Sequence, residues 1–401
     1  MTRVAAQLAA DALEQDLEPA VRIHLDANGN APPTAGVIAA VIEAMQHGGN
    51  PSSAHAAGED GRVLLTSARD AVASLLEGAL PENVTFTSGC TEANNTVVAA
   101  ARQAAATLII TAVEHPSVLR AAQASTRRGG VVEVVPVCGD GRVDPAMIQA
   151  RLRDLRGPVW ISVQAANSET GVLQPVAEIA ALSIMRDDVL LHSDAAQAFG
   201  KVKLAVGGAN GPDVLSLSGH KLHAPMGVGA LVTREGEDRL SPLLFGGDQE
   251  AGMRAGTQSL PLIAGFGAAC HARRVAFEAE TARMRHLRDR LEAGIRSVLP
   301  SVRVNGEGAP RLPNTSNLLF PGVEGMALVG LLDAEGVLAS LGSACHSRRP
   351  EPSGVLTAMG LSEADAWSSV RFSVSPMNTE AEIDAAVSVI ASACRRLGIR
   401  A

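Results

Sequence analysis

The chain has 401 residues, a length that fits two or three domains or one large fold with an appendage. Its 34 basic and 42 acidic residues give a formal net charge of −8, which argues against a surface for nucleic acid or an anionic membrane. Aromatic residues make up only 2% and tyrosine is absent, so a mechanism that uses a tyrosine acid, base or ring stack is excluded.

The cysteines and the first twenty residues bear on the compartment. Five widely scattered cysteines without a CxxC pair disfavour a disulfide framework or a zinc site and favour a reducing compartment. Asp11, Glu14 and Asp16 interrupt the apolar start of the chain, unlike in a secretory signal. No apolar run approaches the roughly 18 to 20 residues of a transmembrane helix. We therefore expect a soluble cytoplasmic protein with no bound metal.

Short β-rich runs alternate with helical patterns over the first two-thirds of the chain. Several runs are apolar almost throughout, as strands buried on both faces should be. The alternation predicts an α/β fold with a mostly parallel sheet. The predicted strands are 84–88, 107–112, 131–137, 159–164, 189–194, 214–218 and 228–233, and the helical patterns between them include 68–76, 92–101 and 177–184.

After about residue 260 the pattern changes to that of a small α+β unit. It predicts, in order, a long helix at 268–298, a strand at 317–320, a helix at 326–334, a loop rich in Gly, Ser, Pro and Arg at 340–354, a strand containing Arg371 and a final helix at 379–397. We therefore predict an N-terminal helical segment (1–22), a large cofactor-binding domain (23–260) and a small C-terminal domain (261–401).

A lysine at a strand end is the first chemical signal. The segment DVLSLSGHKLHAPMGVGALV (213–232) places Ser218, His220 and Lys221 between a strand and a glycine-rich turn. This setting suits a lysine that forms a Schiff base with a cofactor whose phosphate lies nearby. Taken alone, the triplet Gly-His-Lys is more often a surface turn.

A second signal lies 27 residues earlier, where Asp194 ends an apolar strand in LLHSDAAQAFGKV. An ionised aspartate at the pyridine nitrogen of pyridoxal phosphate keeps that nitrogen protonated, and the ring then withdraws electrons from the substrate. Gln197 could donate to the phenolate oxygen of the ring. The alternative is an aspartate that caps the following turn.

A third signal is the strand–turn–helix pattern VTFTSGCTEANNTVV. Backbone N–H groups of Gly89, Cys90 and Thr91 would open the helix, where its dipole favours an anion. The pattern indicates a phosphate group without saying which cofactor carries it.

Together these segments resemble one family, the NifS/IscS-type cysteine desulfurases among the fold-type I, class-V aminotransferase-like pyridoxal-phosphate enzymes. The resemblance runs from about residue 23 to 390 and implies a large domain with a mostly parallel mixed sheet flanked by helices, plus a small α+β C-terminal domain. The similar segments are GNPSSAHAAG (49–58), FTSGCTEANN (86–95), TAVEHPSVL (111–119), AANSETGVLQP (165–175), HSDAAQAFGK (192–201), SLSGHKLHAPMGVGAL (216–231), GGDQEAGMRAGT (246–257), LGSACHSRRPEPSGVL (341–356) and SSVRFSVS (368–375).

The resemblance implies a role for each matching residue around the cofactor ring. Lys221 would bind pyridoxal 5'-phosphate covalently, and Asp194 would pair with the pyridinium nitrogen. His115 would stack on the ring and assist proton transfer, although a turn histidine is the alternative. Gln197 would contact the phenolate oxygen.

The resemblance also implies the phosphate and substrate contacts. The phosphate would be held by the turn at Cys90 and by the residues Thr91, Ser218 and His220. Thr257 would reach it from the second subunit of a homodimer with active sites at the subunit interface, or else cap a helix. Arg371 would form a bidentate salt bridge with the substrate carboxylate, and Asn28 and Asn167 would face the substrate.

Cys345 is the candidate nucleophile. It lies in the predicted loop at 340–354, and such a loop can carry a thiol into a pocket and out to an acceptor. His346, Arg348 and Arg349 would favour the reactive thiolate. Cys270 and Cys394 lie on helical patterns and are expected in the core, and Cys138 is expected in a turn.

The implied reaction converts L-cysteine to L-alanine and leaves a persulfide on Cys345 for a sulfur-acceptor protein, such as an iron–sulfur scaffold, or a small thiol. The sequence departs from the family pattern at Gly29-Asn30-Ala31, at Ser168 and at His346–Arg349. Alternatives are another lyase or aminotransferase of this fold, for example one that acts on selenocysteine, and a catalytically weakened scaffold in sulfur trafficking.

Overall fold

The computed structural model describes residues 22–47, 49–341 and 351–398. The strands in this part are β1 (Ile23–His24), β2 (Leu76–Glu77), β3 (Val84–Thr87), β4 (Thr107–Thr111), β5 (Val131–Val135), β6 (Val159–Ser162), β7 (Val189–Asp194), β8 (Leu204–Ala205), β9 (Val214–Ser218), β10 (Gly229–Thr233), β11 (Arg303–Val304), β12 (Thr315–Leu319), β13 (Val337–Leu338) and β14 (Ser369–Ser373). The α-helices are α1 (Ala35–His47), α2 (Ala56–Ala73), α3 (Cys90–Gln103), α4 (Pro116–Thr126), α5 (Pro145–Asp154), α6 (Val176–Ser183), α7 (Leu260–Val298), α8 (Gly325–Ala334), α9 (Gly354–Ala358), α10 (Glu363–Trp367) and α11 (Glu380–Arg396).

A mixed sheet of seven described strands forms the centre of the larger part, in the order β3–β10–β9–β7–β6–β4–β5. Strand β10 runs antiparallel to both neighbours, and the other pairs are parallel. Alternate residues of β4 belong to cores on opposite faces: Ile110 shares a buried cluster with Val97 of α3, whereas Ile109 shares one with Ile148 of α5 and Ile179 of α6. Helices therefore cover both faces, and the predicted α/β fold is confirmed.

A second core lies around the antiparallel sheet β11–β12–β14. Helices α7, α8 and α11 pack against this sheet, with buried residues such as Leu291, Leu332 and Ile390 in one cluster. Helix α7 joins the two cores, because Phe266 near its start packs with the large sheet and Leu291 packs with the small one. The predicted domain boundaries stay a prediction.

Two predicted helices are too short, and glycines explain both. Helix α2 begins at Ala56, twelve residues before the start of the predicted helix 68–76. The predicted end is also wrong, because the helix ends at Ala73 and Leu76 pairs with Leu204 in a parallel strand pair. A Cβ on Gly61 would lie 2.4 Å from the carbonyl oxygen of Gly49, so glycine permits this close contact. Helix α7 likewise begins at Leu260 rather than at residue 268, and it contains Gly267 against α2.

None of the helices in the described ranges has the length and apolar character that a bilayer crossing requires.

Candidate active site

The site lies at the carboxyl ends of parallel strands β7 and β9. These strands are neighbours, with Asp194 opposite Ser216, so their last residues meet at one edge of the sheet. A single 3₁₀ turn, Gly219–Lys221, follows β9 directly. The topology therefore brings Asp194, Ser218 and Lys221 to the same edge, as the sequence motifs require.

Asp194 is buried and is fixed by three donors. Its Oδ1 accepts from Cys90 Sγ at 3.2 Å and from Ala196 N at 2.9 Å, and its Oδ2 accepts from Asn94 Nδ2 at 2.7 Å. Burial, and then Asp194 itself, raises the pKa of the Cys90 thiol well above its ordinary value, so Cys90 remains a protonated donor. Sequence reasoning missed Asn94, although it lies one helical turn after Cys90.

Lys221 reaches across to the turn that follows β1. Its Nζ donates to the carbonyl oxygens of Asn28 and Gly29, both at 2.5 Å. The Asn28 oxygen also accepts from Gln197 Nε2 at 3.0 Å. Asn28 thus connects the predicted Schiff-base lysine with the predicted phenolate contact.

A second lysine, the buried Lys201, supports this connection. Its Nζ donates to Gln197 Oε1 at 3.2 Å and to Asn28 Oδ1 at 3.3 Å, and so orients both amides. Burial, and then the nearby charge of Lys221, holds the pKa of Lys201 well below its ordinary value. Residues 196–201 form turns rather than a helix, so only the closeness of Lys201 to Gln197 in the sequence could have identified it.

The turn between β3 and α3 forms an open cradle for an anion. Gly89 caps α3 with φ of 152°, and a Cβ placed there would meet nothing within 4 Å. A Cβ on Gly229 would lie 2.7 Å from the Cα of Gly89, so the glycine in β10 lets the turn pack against this strand. The helix start therefore directs its backbone N–H groups, including that of the exposed Thr91, toward open space.

Ser218 and His220 lie close together beside this cradle. Ser218 Oγ is 3.1 Å from His220 Nδ1. Burial, followed by the charges of Lys221 and Lys201, lowers the pKa of His220 to about 4. The imidazole is therefore neutral near pH 7 and can act as a hydrogen-bond donor or acceptor.

His115 caps helix α4. Its Nδ1 accepts from Ser117 N at 3.1 Å and lies 2.7 Å from Ser117 Oγ. Burial lowers the pKa of His115, the charge of Asp194 raises it, and that of Lys221 lowers it. Asp194 and Lys221, whose charges act on His115, are the residues of the predicted ring site. The stacking and proton-transfer roles of His115 stay predictions.

Glu114, which sequence reasoning did not select, gives a pH-dependent prediction. Its carboxyl accepts from Thr111 Oγ1 and Gln164 N, and burial raises the pKa of Glu114 from 4.5 to about 8. The folded state therefore retains a proton that the unfolded state releases, and the free energy of unfolding falls as the pH rises from 4.5 toward 8. Glu114→Gln should flatten this fall in urea unfolding measured at several pH values. The exposed Glu178→Gln is the control, and equal slopes for wild type and Glu114→Gln would contradict the prediction.

Arg371 lies on β14 and is 3% exposed. Its Nη2 donates to Asp26 Oδ1 at 2.6 Å and its Nη1 to the carbonyl oxygen of Ser168 at 3.1 Å. Within the described residues, Arg371 Nε has no hydrogen-bond partner. The Ser168 oxygen also accepts from Asn28 Nδ2 at 3.3 Å, which joins Arg371 to the Lys221 network. Sequence reasoning missed Asp26 because no local pattern pairs it with Arg371.

Asn167 folds the turn that carries Ser168. Its Oδ1 accepts from the N–H groups of Glu169 and Thr170, both at 2.9 Å, and its Nδ2 donates to the carbonyl oxygen of Val113 at 3.2 Å. These contacts position the turn, and the contact of Asn167 with substrate stays a prediction.

Thr257 is exposed on the segment that precedes α7. Ser259, not Thr257, is the N-cap of that helix, so the helix-cap alternative is wrong. Glu250 anchors the same segment, because its carboxylate accepts from Arg69 Nη2 and Phe86 N, both at 2.7 Å. The contact of Thr257 with a second subunit stays a prediction.

Cys345 lies outside the described residues. Cys270 and Cys394 are buried in helices α7 and α11, and Cys138 is exposed in a turn, as predicted. Burial raises the pKa of Cys270 well above its ordinary value and that of Cys394 to about 12.

Comparison with known proteins assigns this arrangement to a family. The profile of the family "Aminotransferase class-V" matches residues 23–386. The chain belongs to the class-V aminotransferase family. Within this family, it is 41% identical to the cysteine desulfurase NifS of Azotobacter vinelandii over 372 residues. This match covers 90% of each chain.

Solved structures of similar proteins have the same fold. The NifS-like protein from Rickettsia africae matches with a TM-score of 0.85 at 29% identity, over 93% of this chain and 99% of that one. A structure described as SspA in complex with cysteine matches with a TM-score of 0.77 at 30% identity, over 90% of this chain and all of that one. This class-V aminotransferase chain is therefore a member of the NifS-type cysteine desulfurases.

Proposed function

We propose that the chain is a pyridoxal-phosphate-dependent cysteine desulfurase that converts L-cysteine to L-alanine and leaves a persulfide on Cys345. One observation carries the proposal. A continuous hydrogen-bonded path runs from Lys221 through Asn28 and Ser168 to Arg371, so an amine and a carboxylate-binding guanidinium belong to one site. The relatives with the name cysteine desulfurase support the choice of substrate.

The residues present fit pyridoxal phosphate. The open cradle at Gly89 suits its phosphate, the fixed carboxylate of Asp194 suits its ring nitrogen, and Lys221 supplies the amine for covalent attachment. Ser218, His220 and the start of α3 would hold the phosphate, and Gln197 would face the phenolate oxygen. When bound, the cofactor supplies a ring that accepts electrons from the substrate Cα.

Each chain residue then has a definite task. Arg371 binds the substrate carboxylate and so orients the amino acid. Lys221, once its amine is released, accepts the Cα proton, and His115 assists this transfer. The Cys345 thiolate forms a bond to the substrate sulfur as the bond between that sulfur and Cβ breaks. The electron pair of the broken bond stays on Cβ, which takes up a proton to become the methyl group of alanine.

The described flanks of Cys345 support its place in this scheme. Before it, Ser340 pairs with Arg371 through two backbone hydrogen bonds. After it, Ser353 Oγ donates to Glu169 Oε2 at 2.5 Å, in the turn that holds Arg371 Nη1. Ser340 and Ser353, which lie before and after Cys345 in the sequence, are therefore both beside the proposed carboxylate site.

The proposed partners follow from the same site. A homodimer would bring Thr257 of one subunit to the phosphate of the other, and the exposed Phe245 on the same segment supports an interface there. The persulfide would pass to an acceptor protein or a small thiol. The free state of Cys90, Cys138 and Cys270 supports work in a reducing cytoplasm.

The function is tested by incubating the purified holoprotein with L-cysteine and measuring alanine and sulfide in the presence of a reducing thiol. We expect equal amounts of both products. Formation of a keto acid in place of alanine would support the aminotransferase alternative. Preferential turnover of selenocysteine would support the selenocysteine lyase alternative, and bound cofactor without turnover of cysteine would support the scaffold.

Replacement of Asp194 by asparagine tests the ring partner. The amide has no charge to keep the pyridine nitrogen protonated, and its NH2 group would face a donor, Cys90 or Asn94. Loss of a charged hydrogen bond costs about 2 to 3 kcal/mol, so we expect kcat to fall roughly a hundredfold. Cofactor affinity, measured by absorbance titration of the apoprotein, should fall as well. Asp144→Asn, at the exposed cap of α5, is the control, and unchanged cofactor affinity and kcat in Asp194→Asn would contradict this role.

A further inference from the structure

The buried guanidinium of Arg371 has a resident carboxylate. Asp26 Oδ1 takes one N–H of Nη2, and the carbonyl oxygen of Ser168 takes one N–H of Nη1. The Nε–H stays without a partner among the described residues although it is buried. An unpaired buried donor beside two occupied ones indicates a guanidinium that is held in place with one edge kept for a ligand.

Asp26 is itself held firmly by the backbone around it. It forms a parallel bridge with Ser373, two residues after Arg371 on β14, and Ala27 N donates to the carbonyl oxygen of Ser373 at 3.0 Å. Its own carbonyl oxygen accepts from the N–H groups of Gly29 and Asn30. A Cβ on Gly29 would lie 2.3 Å from Asp26 Oδ2, so the glycine makes room for the carboxylate in this position.

We propose that Asp26 is a positioning residue that holds Arg371 in the orientation in which its Nε edge binds the substrate carboxylate. This proposal rests on the proposed function, in which Arg371 binds that carboxylate. Arginine has several freely rotating bonds, and fixing them before binding removes an entropy cost from the binding step. The hydrogen-bond acceptor of Asp26, rather than its charge, performs the holding, because a second negative charge near the ligand carboxylate would by itself weaken binding.

Two substitutions separate the acceptor from the charge. Asp26→Ala removes both, and Asp26→Asn keeps an acceptor for Nη2 without the charge. We expect Asp26→Ala to raise the KM for L-cysteine and the Kd for L-alanine roughly tenfold, as loss of a hydrogen bond to a charged group does. In Asp26→Asn both constants should stay within about threefold of wild type, because the acceptor for Nη2 is kept. The kcat of both variants should stay within about twofold, because the reacting groups are not changed.

A ligand without a carboxylate gives the decisive readout. Cysteamine has the amine and thiol of L-cysteine but no carboxylate, so its Kd should be the same in wild type and Asp26→Ala. Equal weakening of cysteamine and L-alanine, or unchanged L-alanine binding in Asp26→Ala, would overturn the proposal. Tighter L-alanine binding in both variants would also overturn it, because Asp26 would then act only as a competing charge.

Control variants distinguish an effect on ligand binding from a general effect on the fold. Asp213→Ala removes another Arg–Asp ion pair, with Arg234 at 2.6 Å, at the opposite end of β9, and should leave both ligands unaffected. If Asp26→Ala does not fold, Asp26→Glu displaces the acceptor by one methylene and should again weaken L-alanine but not cysteamine. Ligand binding is measured on the holoprotein by calorimetry, so it stays informative even if wild type releases no alanine from L-cysteine, the result that would refute the proposed function instead.

Discussion

Replacing Lys221 with alanine should abolish the release of alanine and sulfide from L-cysteine. In the proposed mechanism, the variant loses the amine that attaches the cofactor and the group that accepts the Cα proton. General acid–base catalysis alone contributes roughly 10² to 10⁴ to a rate, so we expect kcat to fall at least about a thousandfold once attachment is lost as well. Product release in single-turnover and steady-state assays measures the change.

The buried lysine beside Lys221, Lys201, provides a second test of this assignment. Lys201 shares Asn28 with Lys221, so two lysine amines lie close together at the site. Borohydride reduction followed by mass spectrometry of the peptides should find the cofactor on Lys221 in wild type and on neither lysine in Lys221→Ala. Cofactor on Lys201 in wild type would contradict the assignment. Lys203→Ala is the control, because Lys203 is 81% exposed and pairs with Glu278.

Sequence reasoning could predict the sheet and the part of the site that depends on it. The strands predicted at 189–194 and 214–218 agree with the observed bounds of β7 and β9. Because neighbouring parallel strands end at the same edge, Asp194 and Lys221 could be placed together without a structure. The strand–turn–helix pattern at Gly89 was equally local, and the structure has the predicted glycine turn and helix start there.

The contacts that complete the site could not be predicted, because they join distant parts of the chain. Lys221 binds the carbonyl of Asn28 across 193 residues, and Arg371 binds Asp26 across 345. No periodic pattern encodes such pairs; they follow from the packing of the small sheet and β1 against the end of the large sheet. An arginine in an apolar strand indicated that some anion must lie nearby. It could not distinguish a substrate carboxylate from Asp26.

Two further site residues, by contrast, lie close in the sequence to residues that the motifs predict. Asn94 and Lys201 each lie four residues after a residue that the motifs had already selected, Cys90 and Gln197. In helix α3 this spacing places Cys90 and Asn94 on one face. Gln197 and Lys201 instead meet within a series of turns after β7. Each motif predicts a residue that would touch the cofactor, but not the neighbour that orients that residue.

Replacing Cys345 with alanine should abolish sulfide release while cofactor binding is kept. The other cysteines offer poor substitutes, since burial raises the pKa of Cys90 and Cys270 and leaves each as an inert thiol. A desulfurase that lacks its sulfur acceptor cannot complete the transfer, so we expect the rate of alanine formation to fall at least about a thousandfold, the range seen when a nucleophile is removed. Absorbance of the bound cofactor should stay at the wild-type level.

This variant also decides between the desulfurase and an aminotransferase of the same fold. An aminotransferase does not need the thiol and would keep its activity in Cys345→Ala. Cys138→Ala is the matched control, because Cys138 is the exposed cysteine among the described residues and should tolerate the change. After a single turnover without reducing thiol, mass spectrometry should find one added sulfur atom on the Cys345 peptide of wild type and of Cys138→Ala. Sulfur on Cys138, or full alanine formation in Cys345→Ala, would show that the nucleophile lies elsewhere.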